Sequence, residues 1–242
     1  MSDSTEIHLL DHKVRLLQVT DGFRSSLDSV FLAAVCPAGK GQTILDLGCG
    51  VGGAGFCLLW RVPETRLTGV ELQADHADLA RQNIALNGME GRVEIVNADI
   101  RDFRSVERFD HVICNPPYLE AGTYTPSPQE KKAAALGHHG TDVSLDDWLE
   151  AAFYNLKSGG SFTIIHRADM TDKIIQGLGR RYGDIEIIPL WPHQGEEAKR
   201  VIIRAVKDRK SPAHLHPGIV LHTAEGDYTD ESYSILREGT GL

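Results

Sequence analysis

An α/β fold, a mostly parallel sheet with helices on both faces, is what this sequence predicts, and three observations carry that expectation. Short apolar, strand-like runs alternate with segments of helical period along most of the chain, the pattern of parallel strands joined by crossover helices. Thr43–Leu47 leads into Gly48-Cys49-Gly50-Val51-Gly52-Gly53 and then into the apolar run Ala54–Trp60, so that strand, glycine turn and helix follow one another. His111–Cys114 stops abruptly at Asn115-Pro116-Pro117-Tyr118, as a buried strand does where its C-terminal end opens onto a loop.

The elements follow in order. Ile7–Leu10 and Val14–Val19, separated by Asp11-His12-Lys13, predict a hairpin. Ser25 or Ser26 caps a helix whose apolar positions Leu27, Val30, Phe31 and Ala34 keep helical spacing, with Pro37 ending it. After the glycine turn come a strand over Arg66–Val70 and a helix over Ala74–Leu86 stopped by Asn87-Gly88. Strands over Val93–Val96 and His111–Cys114 follow, then a helix over Leu145–Leu156 ending in Ser158-Gly159-Gly160. The run closes with a strand (Ser161–His166), a helix (Thr171–Arg181) and two strands (Ile185–Pro189 and Val201–Val206). Leu119–Ser144 has no clear period and reads as a lid or substrate-reading loop, or as a plain insertion. The organisation is thus a β-hairpin extension over 1–22, a main domain over 23–210 and a polar C-terminal extension over 211–242, in which Ile219–His222 alone is strand-like.

Composition narrows the class. The 242 residues suit one α/β domain, and 41% hydrophobic and 24% charged residues are ordinary for a globular protein. No run approaches a membrane span and Met1-Ser2-Asp3-Ser4 is not a signal peptide, so a cytoplasmic location is expected. The four cysteines have no Cys-x-x-Cys pairing and read as reduced core thiols; His138-His139 and His214-x-His216 lack partners at metal-ligand spacing, so no metal is expected. A net charge of −9 disfavours indiscriminate binding to phosphate backbones. Lys199, Arg200, Arg204, Lys207, Arg209 and Lys210 nevertheless crowd one segment, with Arg180-Arg181 and Lys131-Lys132 as smaller clusters; such a run is either a local anion-binding face or simply solvated surface.

The two turns carry the chemistry. Gly48-x-Gly50-x-x-Gly53 meets the dinucleotide fingerprint and would by itself equally cradle a pyrophosphate. Asp46 before the first glycine, Glu71 after the second strand and Asp99 after the third change the balance, because an acidic ring repels a pyrophosphate. It suits S-adenosylmethionine, which has no phosphate, carries a cationic sulfonium and ammonium, and offers ribose hydroxyls and an adenine amine as donors. Glu71 would take the ribose hydroxyls, Asp99 the adenine amine beside the Ile100 N–H, and Asp46 would act near the methionine end. At the other turn, prolines remove N–H donors and leave acceptors. If the Asn115 amide oxygen and the Pro116 carbonyl both accept from one planar NH2, its lone pair is drawn out of conjugation, and Tyr118 gives an aromatic base a flat face to stack on. The plainer alternative is a strand-ending turn in which Asn115 bonds its own backbone.

With Asp46-Leu47-Gly48-Cys49-Gly50, Glu71, Asp99 and Asn115-Pro116-Pro117-Tyr118 in that order, the chain resembles the class I S-adenosylmethionine-dependent methyltransferases over roughly residues 20–206. The resemblance implies a Rossmann-like, seven-stranded sheet, with the methyltransferase domain over 23–210. The Asn-Pro-Pro-Tyr ending is similar to enzymes that methylate planar nitrogens. Val14-Arg15-Leu16, Asp21-Gly22-Phe23-Arg24, Leu27-Asp28-Ser29-Val30, Ala198–Ile203 and Gly226–Glu231 resemble the tRNA adenine-N6 methyltransferases that modify the adenosine next to a valine anticodon. By that resemblance Arg24 and Asp28 lie over the cofactor pocket, although they also read as a surface ion pair. The set implied for the cofactor is Arg24, Asp28, Asp46, Gly48, Cys49, Gly50, Glu71, Leu72, Asp99, Ile100 and Asn115; for catalysis Asn115, Pro116, Pro117 and Tyr118; for RNA Lys199, Arg200 and Arg204. Related release-factor glutamine methyltransferases carry a helical domain ahead of the cofactor domain, and only about forty residues precede Thr43 here, which favours RNA over protein as substrate. A catalytically idle RNA- or cofactor-binding module and a nicotinamide dehydrogenase are the remaining readings.

Overall fold

A computed structural model describes residues 4–20, 27–118 and 143–242. The expected helix cap at Ser25 or Ser26, the segment holding Arg24, Lys131-Lys132, His138-His139 and most of the proposed 119–144 loop lie outside the described residues.

Strands β1 (Ser4–Leu9) and β2 (Val14–Val19) form the antiparallel hairpin. The remaining strands make one sheet: β3 (Thr43–Leu47), β4 (Arg66–Glu71), β5 (Val93–Asn97), β6 (Phe109–Cys114), β7 (Leu156–Arg167), β8 (Tyr182–Trp191) and β9 (Arg200–Lys207), with the two-residue pieces β10 (His214–Leu215) and β11 (Ile219–Val220) both against β8. The seven long strands lie in the order β8-β9-β7-β6-β3-β4-β5; every pair is parallel except those β9 makes with β7 and β8.

Period-two alternation sorts the strand residues to two faces. Ile44, Ile113, Ile165, Ile188 and Ile202 pack with α1 (Leu27–Val35), α2 (Gly53–Arg61) and the hairpin residues Val14 and Leu16. Leu45, Leu47, Val112, Cys114, Phe162 and Ile164 face α4 (Leu145–Asn155) and α5 (Thr171–Leu178). α3 (Ala74–Leu86) covers β4 and β5. No helix among the described residues is long and apolar enough to cross a membrane.

Two departures from the sequence expectation have physical causes. Ser158-Gly159-Gly160 does not end α4 by a glycine stop; β7 begins directly at Leu156, Gly159 takes a left-handed backbone at φ +79°, and Gly160 serves a close backbone approach, since a Cβ there would stand 2.7 Å from the Asp110 carbonyl oxygen. The tail contributes to the core. Thr229 caps α6 (Asp230–Tyr233), whose continuation as a wide π-turn over Ser234–Glu238 buries Ile235 and Leu236 in the cluster that holds α1.

α3 also behaves like an additional strand towards the hairpin. The fully buried Asn83 accepts from Leu17 N–H (2.7 Å) and donates to the carbonyls of Leu17 and Val51 (both 3.0 Å), while one turn on Asn87 makes the same reciprocal pair with Arg15. Asn83→Ala orphans three backbone groups and is expected to cost about 3 kcal/mol or more, against about 1 kcal/mol for the more exposed Asn87→Ala. Urea midpoints of the two variants measure the difference.

Candidate functional site

The strand register sets the site. Leu47 pairs with both Cys114 and Val70, so Gly48, Asn115 and Glu71 leave their strands on one rung of three adjacent strands, which lie about 4.8 Å apart. β3 runs on to β4 and β5 to one side of the sheet, while β6 and β7 lie on the other, so this rung stands at the topological switch point where open α/β sheets hold ligands.

A cavity opens there. Of the residues expected to bind a cofactor, Asp46, Gly48, Cys49, Gly50, Glu71, Leu72, Asp99, Ile100 and Asn115 line it, and Pro117 joins them. Sequence reasoning missed Ser29, Gln73, His76, Val143 and Trp148. Ser29 adjoins Asp28 and was within reach; Trp148 was not, because it arrives from α4 a hundred residues after the glycine turn. Its ring tip fills the space beside Gly48, where a Cβ would meet Trp148 Cη2 at 2.5 Å with the backbone at φ +64°. Only glycine serves that position.

Several donors of the turn are taken by the chain itself. Gly50 N–H donates to Glu71 Oε2 at 2.9 Å, Cys49 N–H to the Val70 carbonyl, Gly52 N–H to the Cys49 carbonyl, and Gly55 N–H to Asp46 Oδ2 at 3.1 Å. A pyrophosphate would therefore meet the Glu71 and Asp46 carboxylates at two amides of the turn. Glu71 also accepts from Gln73 N–H at 2.8 Å, which fixes its carboxylate at the rim. Asp46 is 2% exposed, and burial pushes its pKa up to about 7. Asp99 is held below the ordinary carboxylate range by hydrogen bonds from Arg101, the nearer nitrogen at 2.6 Å. The cavity wall is thus acidic with apolar flanks at Ile100, Val143 and Trp148, an acceptor set that fits S-adenosylmethionine with its cationic end and its hydroxyl and amine donors.

Asn115 Oδ1 is buried at this cavity and accepts no hydrogen bond among the described residues. An orphaned buried acceptor is costly and rare, and it marks a place for a donor from outside the chain. The plainer alternative, an Asn115 side chain satisfied by its own backbone, is not what is found. Beside it, Pro116 is buried and Pro117 exposed.

The remaining expected residues stand elsewhere. Asp28 does not line the cavity: it is buried, and it accepts from Tyr118 and Arg200. The basic segment is not a patch. Arg204 is drawn inward by Glu186 on the neighbouring strand and by the Val35 carbonyl, and Lys207 is spent on the carbonyls of Phe153 and Leu156. Eight strand residues from Arg200 to Lys207 span roughly 25 Å, which carries Lys207, Arg209 and Lys210 to the opposite end of the sheet from Asn115. Of the expected RNA-binding set only Lys199 is exposed at the rim that holds the site. Among the described residues no group of three or more His, Cys, Asp or Glu could hold a metal ion.

Comparison with known proteins agrees with this geometry. Residues 25–131 match the family model for the methyltransferase small domain. A tRNA1(Val) (adenine(37)-N6)-methyltransferase of Shewanella baltica is 29% identical over 223 residues, covering 90% of this chain and 92% of the relative. The enzyme of the same name from Aeromonas hydrophila is 28% identical over 84% of each chain. Among solved structures, a protein described as a predicted O-methyltransferase from Agrobacterium tumefaciens superposes with a TM-score of 0.73 at 25% identity, covering 89% of this chain and 97% of its own.

Proposed function

We propose, from the premise that the chain is a class I S-adenosylmethionine-dependent methyltransferase, that it methylates the exocyclic N6 of an adenine in tRNA. The observation that carries the choice of acceptor is the unpartnered, buried Asn115 Oδ1 on the same rung as the glycine turn. Support for the substrate comes from curated relatives bearing that activity that align over nine-tenths of this chain.

Bound in the cavity, the cofactor supplies a methyl group on a positively charged sulfur. The chain's own part is to place and polarise the acceptor. Asn115 Oδ1 takes one hydrogen of the adenine amino group, and the Pro116 carbonyl is positioned by sequence to take the other. Both hydrogens are then held out of the ring plane's conjugation, and the nitrogen lone pair turns towards the methyl carbon. A C–N bond forms as the C–S bond breaks, and the surplus proton leaves for water afterwards, so no strong base is required. Positioning and hydrogen-bond polarisation supply most of the rate. A hydroxyl acceptor has a single hydrogen to give and would leave one of these two acceptors idle. Activity on tRNA implies a cytoplasmic location, and Lys199 is the rim cation best placed to meet a phosphate.

The test is mass spectrometry of nucleosides from tRNA incubated with the protein and S-adenosylmethionine, with purified release factor in a parallel reaction. N6-methyladenosine appearing in the tRNA is the expected result. Methyl transfer to the release factor alone would point to a protein glutamine amide and overturn the reading.

A further inference from the structure

Three elements distant in sequence meet at Tyr118. From the first turn of α1, Asp28 (6% exposed) accepts the Tyr118 hydroxyl on Oδ2 at 2.6 Å. From the start of β9, Arg200 Nε donates to the same oxygen at 3.1 Å, and its guanidinium carbon stands 4.7 Å from the centre of the Tyr118 ring. From the end of β7, the ring of the buried His166 lies 5.1 Å from that of Tyr118, inclined by 58°. Register explains the meeting: β9 is antiparallel to β7, so Arg200 pairs with Arg167 at the strand ends that flank the turn after β6.

We propose that Asp28 and Arg200 are positioning residues that clamp Tyr118 in one orientation, so that its ring offers the target base a preformed stacking surface. This rests on the reading of the site as one that accepts a planar base. The hydroxyl contact fixes where the ring's tip stands and the guanidinium over the ring opposes its turning, so the ring is held before substrate arrives. A tyrosine on an otherwise unanchored turn loses that freedom on binding instead, at a cost to the rate. The clamp needs arginine, whose flat, delocalised cation lies over a ring and donates from its edge at once; a lysine ammonium cannot do both. It also removes Arg200 from the RNA-contacting set. Turning its guanidinium to a phosphate would give up its bond to the buried Asp28 carboxylate and its place over the Tyr118 ring. Burial and the Asp28 charge raise the phenol pKa, so the hydroxyl keeps the proton it donates.

The experiment uses the full chain with Asp28→Asn, Arg200→Lys, Tyr118→Phe and the double change Asp28→Asn/Arg200→Gln. In protein labelled on tyrosine, NMR reads Tyr118 ring flipping. Slow flipping in the wild type and fast flipping in Asp28→Asn and Arg200→Lys is expected; fast flipping in the wild type overturns the clamp. On tRNA, single-turnover rates for these two variants are expected to fall about tenfold or more while KM moves less than about threefold. Tyr118→Phe removes only the hydroxyl contact, so adding Asp28→Asn to it is expected to lower the rate further by loosening Arg200 from the ring. The double variant separates the clamp from a phosphate contact: its salt dependence should match the wild type, whereas a slope of log KM against log salt smaller by about 0.7–0.9 would make Arg200 a phosphate ligand and overturn the proposal. Should the wild type methylate no tRNA, the reading of the substrate fails, and the flipping rates still decide the clamp.

Discussion

Asn115→Ala is expected to slow methyl transfer to tRNA by roughly 10²–10³-fold, the range seen when one preorganised hydrogen-bonding partner is taken from a reacting centre. The size follows from what Oδ1 does in each state. In the ground state an amino nitrogen conjugated with its ring is nearly planar and a poor nucleophile; as the new bond forms, its hydrogens become more acidic and their bonds to a fixed acceptor strengthen. An interaction that grows towards the transition state acts on kcat. Asn115 lines the cavity, so its removal also touches cofactor affinity, but only through lost contact area, and a change of less than about fivefold is expected there. Single-turnover kinetics with isothermal titration of the cofactor separate the two effects. Asn115→Asp retains an acceptor at the same place, and its rate should fall between those of the wild type and Asn115→Ala. A rate for Asn115→Ala within about threefold of the wild type would remove this oxygen from the mechanism.

How far such a site is legible in a sequence depends on whether its parts are local. Asp46, Gly48, Glu71, Asp99 and Asn115 were found because each sits where a strand stops at a glycine, proline or polar break, and parallel strands in register bring those stops to one rim. Trp148 was invisible because it reaches the cavity from a helix across the sheet, and nothing near it in the chain marks a ligand. The basic segment misled for a related reason. Consecutive cations look like a cluster in one dimension, but a strand spreads them along its length, so Arg200 meets Asp28 at one end while Arg204, four residues on along the same face, meets Glu186. In the tail the strand-like run at Ile219 was legible and is β11, while β10 and α6 escaped because they are two and four residues long, shorter than any period that could announce them. The burial of Ile219, Leu221, Ile235 and Leu236 comes from tertiary packing in the cluster that holds α1 and not from local preference.

The second large effect concerns Asp46. Its carboxyl is buried behind the glycine turn, its pKa raised to about 7 by desolvation with Glu71 adding to the rise, and the Gly55 N–H opposing it. In the unfolded chain the same group titrates near 3.9. The folded state therefore holds the proton more tightly, and this group's contribution to stability is complete below about pH 4 and is lost as pH climbs to about 7, roughly 4 kcal/mol in all. His111 works in the opposite sense. Enclosed between Ser161 Oγ (2.7 Å) and Gln42 Oε1 (2.8 Å), it is pushed by burial down to about 4, so its contribution is complete above about pH 6.5 and lost as pH falls to about 4. Across pH 4–6.5 the two slopes oppose each other in the wild type. Asp46→Asn leaves that of His111 alone, so the variant is expected to gain stability steadily from pH 4 to 6.5 and then level off, where the wild type changes little and then declines towards pH 7. Urea unfolding at half-unit steps of pH reads both curves, and superimposable profiles would mean that Asp46 is ionised throughout. Cofactor binding adds a second signature. An ammonium brought beside Asp46 favours its ionised form, so below pH 7 binding must expel a proton and affinity must rise with pH until about 7. Asp46→Asn has no such proton to lose, and its affinity should be both weaker at pH 8 and independent of pH over that range.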